Sequence, residues 1–295
     1  MASAAGPAVN VVVASFSGEA ALTRCLESLA GQAPEIVVAT DLDGDVVTRL
    51  SRRFPTARFL AAPRGATVFH KRALGVAVAR GRLVALTEDH CTVAAGWVEA
   101  LRAAHAAGHP VVGGVVENGR AATTEGRALY WCEYAAHMPP LPEGPAAVLS
   151  GVNVAYDRDV LLKCRPVWQD LFYESEVHEA LRRAGHRLHR AAGAGVTSHL
   201  SFDFGEAMAH LFRGGVRYGR GRVARSSPAA KALLCLAVPA VPAVLLWRIV
   251  AAVLSRRARE AGLLALALPR AICLLTSWAA GEALGYWGGL LREGG

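Results

Sequence analysis

Three short runs of β-branched and small apolar residues, separated by helical spacings, constrain this chain most. Residues 9–15 read VNVVVAS, residues 35–40 read EIVVAT and residues 83–87 read LVALT. Near-continuous apolar runs of this length belong to strands covered on both faces. Between them, residues 20–30 place Leu22, Cys25, Leu26 and Leu29 on one helical face. Residues 46–54 and 67–79 also read as helices, and residues 57–61 as a short strand. Strands alternating with helices predict an α/β fold with a mostly parallel sheet and helices on both faces. Such sheets bind ligands at the carboxyl ends of their strands. The acidic loop Asp41, Asp43, Asp45 and the triplet Glu88-Asp89-His90 both fall at such ends.

Further on, residues 97–107 read as a helix, 111–116 (VVGGVV) as a strand, and 118–147 as an irregular, Pro-containing segment. Residues 147–156 read as a strand that contains Gly151 and Asn153, and 174–184 as a helix. Residues 186–191 and 195–199 read as short extended pieces.

The last quarter differs. Hydrophobic residues make up 53% of the chain and charged residues 19%, and the apolar excess gathers at the C-terminal end. Residues 232–247 carry no charge, and after Arg248 the apolar run continues to Leu254. The basic loop 255–260 follows, and residues 261–291 are broken only by Arg270 and Glu282. A spanning helix needs about 20 apolar residues. Pro239, Pro242 and Pro269 would kink these helices, which a bilayer tolerates. The alternative is a buried helical hairpin of a soluble domain. The expected organisation is a catalytic domain over residues 1–227 and a membrane-associated helical tail over 228–295.

The net charge is +8, with basic residues clustered over 213–231. An anionic lipid surface or phosphates suit this patch better than nucleic acid, because no nucleic-acid-binding motif is present and aromatic residues do not interleave with the basic ones. The six cysteines are scattered without a CxxC pair, which fits a reduced compartment. No charged region followed by an apolar core opens the chain, so the catalytic part is expected on the cytoplasmic side of a cell membrane.

Glu88-Asp89-His90 carries the strongest chemical signal. Three potential ligands at a strand end are costly to bury unless they bind something. A divalent cation carrying phosphates suits them, Mn²⁺ for the imidazole and Mg²⁺ for oxygens alone. A solvated turn capping the next helix is the other reading. Glu174 and Glu176 open a helix, where the dipole favours negative charge, and a carboxylate there could equally be a general base. Taken alone, His199, Arg72 beside Lys71, and Asp41 read as a structural imidazole, a solvated cation and a turn.

Together these pieces resemble the family-2 glycosyltransferases of the GT-A fold over roughly residues 9–225. VNVVVASFSGEAALTRCLESLAGQ resembles the family's first strand and helix, and EIVVATD its second strand with the nucleotide-contacting Asp at Asp41. RGATVFHKRALGVAVARGRLVALTEDHC resembles its Gly and Arg-x-x-Gly helix, with Gly65, Arg72 and Gly75 in place and Glu88-Asp89-His90 at the Asp-x-Asp position. Trp97 stands where the family's aromatic residue follows. LSGVNVAYDRDVL resembles the segment beside the donor sugar, with Gly151 and Asn153 at the floor of the site. In FYESEVHEALRRAGHRL, which resembles the helix carrying the catalytic base, Glu174 takes the family's Asp position. HLFRGGVRYGRGRVA resembles a basic segment ahead of membrane helices.

The resemblance implies inverting transfer of a sugar from a nucleotide-diphosphate donor to a hydroxyl acceptor, with a lipid-linked or cell-envelope glycan as a candidate. It implies Glu174 as base, Asp41, Gly65, Arg72, Glu88, Asp89, Gly151 and Asn153 around the nucleotide sugar, and a Mn²⁺ or Mg²⁺ ion on Asp89, His90 and His199. Arg217, Arg220 and Arg222 would hold a diphosphate or lipid phosphate. Two other readings compete. A nucleotidyltransferase would carry a Gly- and basic-rich loop after the first strand, whereas SFSGEAAL has no Lys or Arg before Arg24. A membrane protein with a non-catalytic transferase-like domain is the second.

Overall fold

The computed structural model describes residues 8–33, 35–223 and 226–290. Arg225 and Leu291, the ends read for the basic segment and the apolar tail, lie outside the described residues. The chain forms two compact units, Met1–Gly119 with Pro139–His199, and Arg120–Met138 with Leu200–Gly295. This division does not follow the boundary read between residues 227 and 228.

The first unit opens with β1 (Val9–Ala14), α1 (Glu19–Leu29), β2 (Glu35–Thr40), α2 (Gly44–Arg53), β3 (Ala57–Ala61), α3 (Val68–Val78) and β4 (Leu83–Glu88). β5 (Cys91–Val93), α4 (Trp97–Ala106), β6 (Val111–Gly113) and β7 (Val116–Asn118) follow, before the chain leaves for α5 (Thr124–Tyr134) of the second unit. It returns with β8 (Gly144–Ala146), β9 (Val154–Asp157), α6 (Arg158–Lys163), α7 (Arg165–Trp168), α8 (Glu174–Arg183), β10 (Leu188–Arg190) and β11 (Val196–Ser198). The main sheet has the order β3-β2-β1-β4-β9-β6-β10-β8. Its pairs are parallel except those made by β9 and β8. A smaller sheet has the order β5-β11-β7.

β1 and β4 are buried at every position, as their apolar runs require. α3 starts at Thr67, whose side chain accepts from the His70 amide, a cap that satisfies one orphan donor. It lies hard on β1. A Cβ at Gly75 would stand 2.3 Å from Val12 Cγ1, so only glycine permits this approach. Val12, Val37, Leu86, Val154 and Tyr156 from four strands join Trp168, Phe172 and Leu181 in the core cluster.

Three segments differ from the sequence reading. The run 111–116 is not one strand but two, β6 and β7, in different sheets. Gly114 sits between them against another backbone, where a Cβ would lie 1.5 Å from the Ala194 carbonyl oxygen. The strand expected over 147–156 begins only at Val154, and residues 150–153 form a turn in which the Asn153 amide bonds the Ser150 carbonyl. The segment read as irregular contains α5, capped by Thr123, whose hydroxyl accepts from the Gly126 amide. Its apolar residues begin only at Ala128, too late to mark the first turn.

The second unit is helical: α5, then α9 (Phe204–Val223), α10 (Pro228–Ala237), α11 (Val241–Arg256) and α12 (Ala261–Leu290). The 20-residue α9 forms although its glycines argue against a helix in the sequence. Those glycines serve packing. Cβ atoms at Gly215 and Gly219 would fall 2.1 Å from the Trp278 carbonyl oxygen and 2.4 Å from that of Glu282. Gly281 and Gly285 of α12 meet the Phe212 and Val216 carbonyls of α9 in the same way, at 2.1 and 2.4 Å. Two stretches, Leu233–Arg256 and Ala258–Trp287, are long and apolar enough to cross a membrane.

Candidate active site

The chain runs β1, β2, β3 in one direction across the sheet and then returns to place β4 on the other side of β1. The crevice at such a switch point, at the carboxyl ends of the strands, is where ligands bind in open α/β sheets. The loop after β1 is tied to the end of β4. Asp89 Oδ2 accepts from the Ser15 hydroxyl at 3.0 Å and from the Phe16 and Ser17 amides, each at 2.7 Å. Burial pushes the Asp89 carboxyl above its ordinary value, against the pull of these donors. Its Oδ1 is buried and has no hydrogen-bond partner among the described residues.

At the end of β2, Asp41 Oδ1 meets Lys71 Nζ at 2.6 Å, and Oδ2 accepts from the Gly65 amide at 2.9 Å. Lys71 Nζ also donates to the Ser15 carbonyl at 2.7 Å, which links three loops through one buried ammonium. Partial burial works to raise the Asp41 pKa, but the hydrogen bonds from Lys71 and Gly65 outweigh it and hold it below the usual range.

Arg72, 4% exposed, stands at the centre. One end of its guanidinium donates to Glu88 Oε1, and Nη1 donates to Glu174 Oε2 at 2.7 Å. The first residue of α8 is thereby joined to the last residue of β4. For Glu174, burial would raise the pKa, and the Arg72 charge reverses that and holds it below its ordinary value. The same two acids hold the Arg72 pKa above its ordinary value despite burial. The guanidinium lies against the backbone at Gly151, where a Cβ would be 2.6 Å from both terminal nitrogens.

β4 ends at Glu88, and the turn at residues 89–90 sends the two carboxylates to different partners, Glu88 to Arg72 and Asp89 to the β1 loop. His90 Nδ1 stands 3.4 Å from Glu88 Oε2, and its ring lies 5.5 Å from that of Phe16. β11 pairs with β5 in a register that brings the His199 amide to the His90 carbonyl at 2.8 Å. The His199 ring itself turns to Thr92, with Nε2 at 3.0 Å from the hydroxyl. Among the described residues, no three His, Cys, Asp or Glu side chains are gathered to hold a metal ion by themselves. The three residues read as ligands are therefore dispersed: Asp89 holds the β1 loop, His199 faces Thr92, and His90 stands beside Glu88 instead.

Asn153 is fully buried. It accepts from Trp97 Nε1 at 2.9 Å and donates to the Val115 and Ala194 carbonyls at 2.9 and 2.7 Å. It braces the turn that carries Gly151. Lys71 and Ser15 were missed in the sequence. The available signal was a second cation beside Arg72 on a helix whose other buried positions are small or apolar.

A sequence profile described as glycosyl transferase family 2 matches residues 10–164, more than half of the chain. The chain belongs to this family. It is a nucleotide-sugar glycosyltransferase, and the nucleotidyltransferase reading falls. No curated protein sequence matches it. Among solved structures, the chain is similar to the mannosyltransferase PcManGT from Pyrobaculum calidifontis in complex with GDP-Man and Mn²⁺. That match has a TM-score of 0.60 at 16% identity and covers 98% of this chain and 89% of the other. It is also similar to GalNAc-T7 with UDP, GalNAc and Mn²⁺, with a TM-score of 0.53 at 12% identity, covering 68% of this chain and 45% of the other. At these identities the two structures speak for the shared fold of the glycosyltransferase.

Proposed function

We propose that this glycosyltransferase transfers its sugar with inversion, in one displacement that uses Glu174 as base. The observation that carries the reading is the Arg72 guanidinium joining Glu88 at the end of β4 to Glu174 at the start of α8. It gathers a base and the strand-end acids at the switch-point crevice. The acceptor hydroxyl loses its proton to Glu174 as its oxygen bonds to the anomeric carbon. The bond from that carbon to the diphosphate breaks, and the nucleoside diphosphate leaves with the electron pair. No enzyme nucleophile is needed.

Asp41, pre-set by Lys71 and the Gly65 amide, is assigned to the nucleoside. Arg72 is assigned to holding Glu174 ionised and in place, in preference to a direct nucleotide contact, because both of its ends are engaged by acids. Asp89 and Asn153 shape the walls. Glu88 and His90 suit a divalent cation that takes the rest of its ligands from phosphates, since such ions are commonly held by one or two side chains plus a substrate's phosphates. Bound there, the ion would neutralise charge on the departing diphosphate. A lipid-linked or cell-envelope acceptor and attachment to a membrane are supported by the two apolar stretches.

The test is nucleoside diphosphate release with a panel of donor sugars, followed by the anomeric configuration of the product. Inverted product is expected, and retained configuration would end the single-displacement reading.

Metal dependence is expected to follow the imidazole. Activity should vanish in excess chelator and return more fully with Mn²⁺ than with Mg²⁺. His90→Asp should move the preference toward Mg²⁺. Undiminished turnover in chelator would mean that Arg and Lys side chains alone meet the leaving group's charge.

A further inference from the structure

The two stretches long enough to cross a membrane both carry a cation near their middle, away from any end. In Leu233–Arg256 it is Arg248, exposed and next to Trp247, itself 71% exposed. In Ala258–Trp287 it is Arg270, whose Nε meets Glu125 Oε1 of α5 at 2.7 Å, both side chains close to half exposed. An outward-facing charge at the centre of the hydrocarbon is strongly disfavoured, and a long cationic side chain without a buried partner there is stable when it reaches a headgroup.

α12 is also not free to span alone. Its C-terminal half is locked to α9 by the reciprocal glycine contacts. The buried Glu282 fastens the same seam. It accepts from Trp278 Nε1 at 3.1 Å and from the Tyr286 hydroxyl, and it faces Arg222 of α9 at 3.5 Å. Toward its N-terminal end, α12 meets α5 through Arg270, and the turn just ahead of it does so through Glu260, 3.7 Å from Arg127. A crossing α12 would draw α9, with the exposed Arg213 and Arg220, into the apolar layer.

The outer faces of these helices are nonetheless apolar. Leu233, Leu236, Trp247, Leu266 and Trp287 are each 65–79% exposed. An apolar face edged by arginine and tryptophan suits the boundary between headgroups and acyl chains.

We propose that α10, α11 and α12 lie in the plane of a membrane surface, embedded in one leaflet rich in anionic lipid, and cross the bilayer nowhere. Arg248 and Arg259 then meet lipid phosphates, and the basic turn 256–259 stays on the side where the chain enters the membrane. A crossing hairpin would put that turn on the far side, against the usual distribution of positive charge. The proposal rests on the membrane attachment assigned above and is independent of the site chemistry, which donor turnover tests separately.

The full-length chain provides the test. Cys132, Cys164, Cys235 and Cys273 are replaced, while the buried Cys25 and Cys91 are kept. Ser226→Cys or Ser255→Cys is then added singly, and a membrane-impermeant maleimide is applied to intact cells and to inverted vesicles. Both positions should label from the same side, and labelling from opposite sides would overturn the proposal. The unmodified chain should float with vesicles containing phosphatidylglycerol several-fold better than with phosphatidylcholine alone, and 0.5 M salt should narrow the gap. Equal flotation on both lipids, or none on either, would also overturn it.

Discussion

Glu174→Gln is expected to keep donor binding and to lower kcat by about 10²-fold or more, the usual contribution of a positioned general base. Gln is nearly isosteric and can still accept from Arg72 through its amide oxygen, so the start of α8 should stay in place. What it cannot do is take a proton. The neighbouring Glu176→Gln removes a charge from the same first turn, where the helix dipole favours an acid, and serves as the comparison variant. Single-turnover rates and donor titrations on both variants separate the effects. Turnover near wild type in Glu174→Gln would remove it from the mechanism.

Arg72→Met should have the largest effect on stability. It leaves Glu88, with a side chain 6% exposed, and Glu174, at 30%, without their shared cation. Stranding a buried charge costs about 3–5 kcal/mol, toward the lower end here because Glu174 keeps some contact with solvent. Arg72→Lys tests function in a better-folded protein. Lys is a point charge and cannot bridge two carboxylates as the planar guanidinium does. Removing or weakening the Arg72 charge lets burial dominate at Glu174, so its pKa rises. The base must be ionised, so the acid limb of the kcat/KM profile should move to higher pH. The stability side has the matching sign. A Glu174 pKa held below its ordinary 4.5 stabilises the fold above that pH, and this contribution disappears as pH falls through the folded-state value. Gly151→Ala should move the acid limb the same way, since its Cβ needs space that the guanidinium occupies. An acid limb unmoved in both Arg72→Lys and Gly151→Ala would show that Arg72 does not govern the base.

β1, β2 and β4 were legible because strands covered on both faces need near-continuous apolar runs, and chance rarely writes such runs between helical spacings. The position of Glu88, Asp89 and His90 followed from the strand end alone. The division of labour among them did not, since it depends on which side chain faces the β1 loop. The pairing of Lys71 with Asp41, and of Arg72 with two acids 16 and 102 residues further along the chain, is a product of the tertiary fold, which no local pattern records. α9 was hidden for a different reason. Its glycines lower helix propensity and make sense only once the partner backbone is present.

That seam between α9 and α12 has a consequence for anyone wishing to shorten the protein. Glycine faces offer no side chains of their own, so a helix stripped of its mate presents bare peptide groups and a shallow trench in place of a finished surface. A cut at residue 227 would keep α9 and discard what fills it. The natural units of inheritance and of engineering are therefore the pair together or neither, and α5, which belongs to the same unit, goes with them.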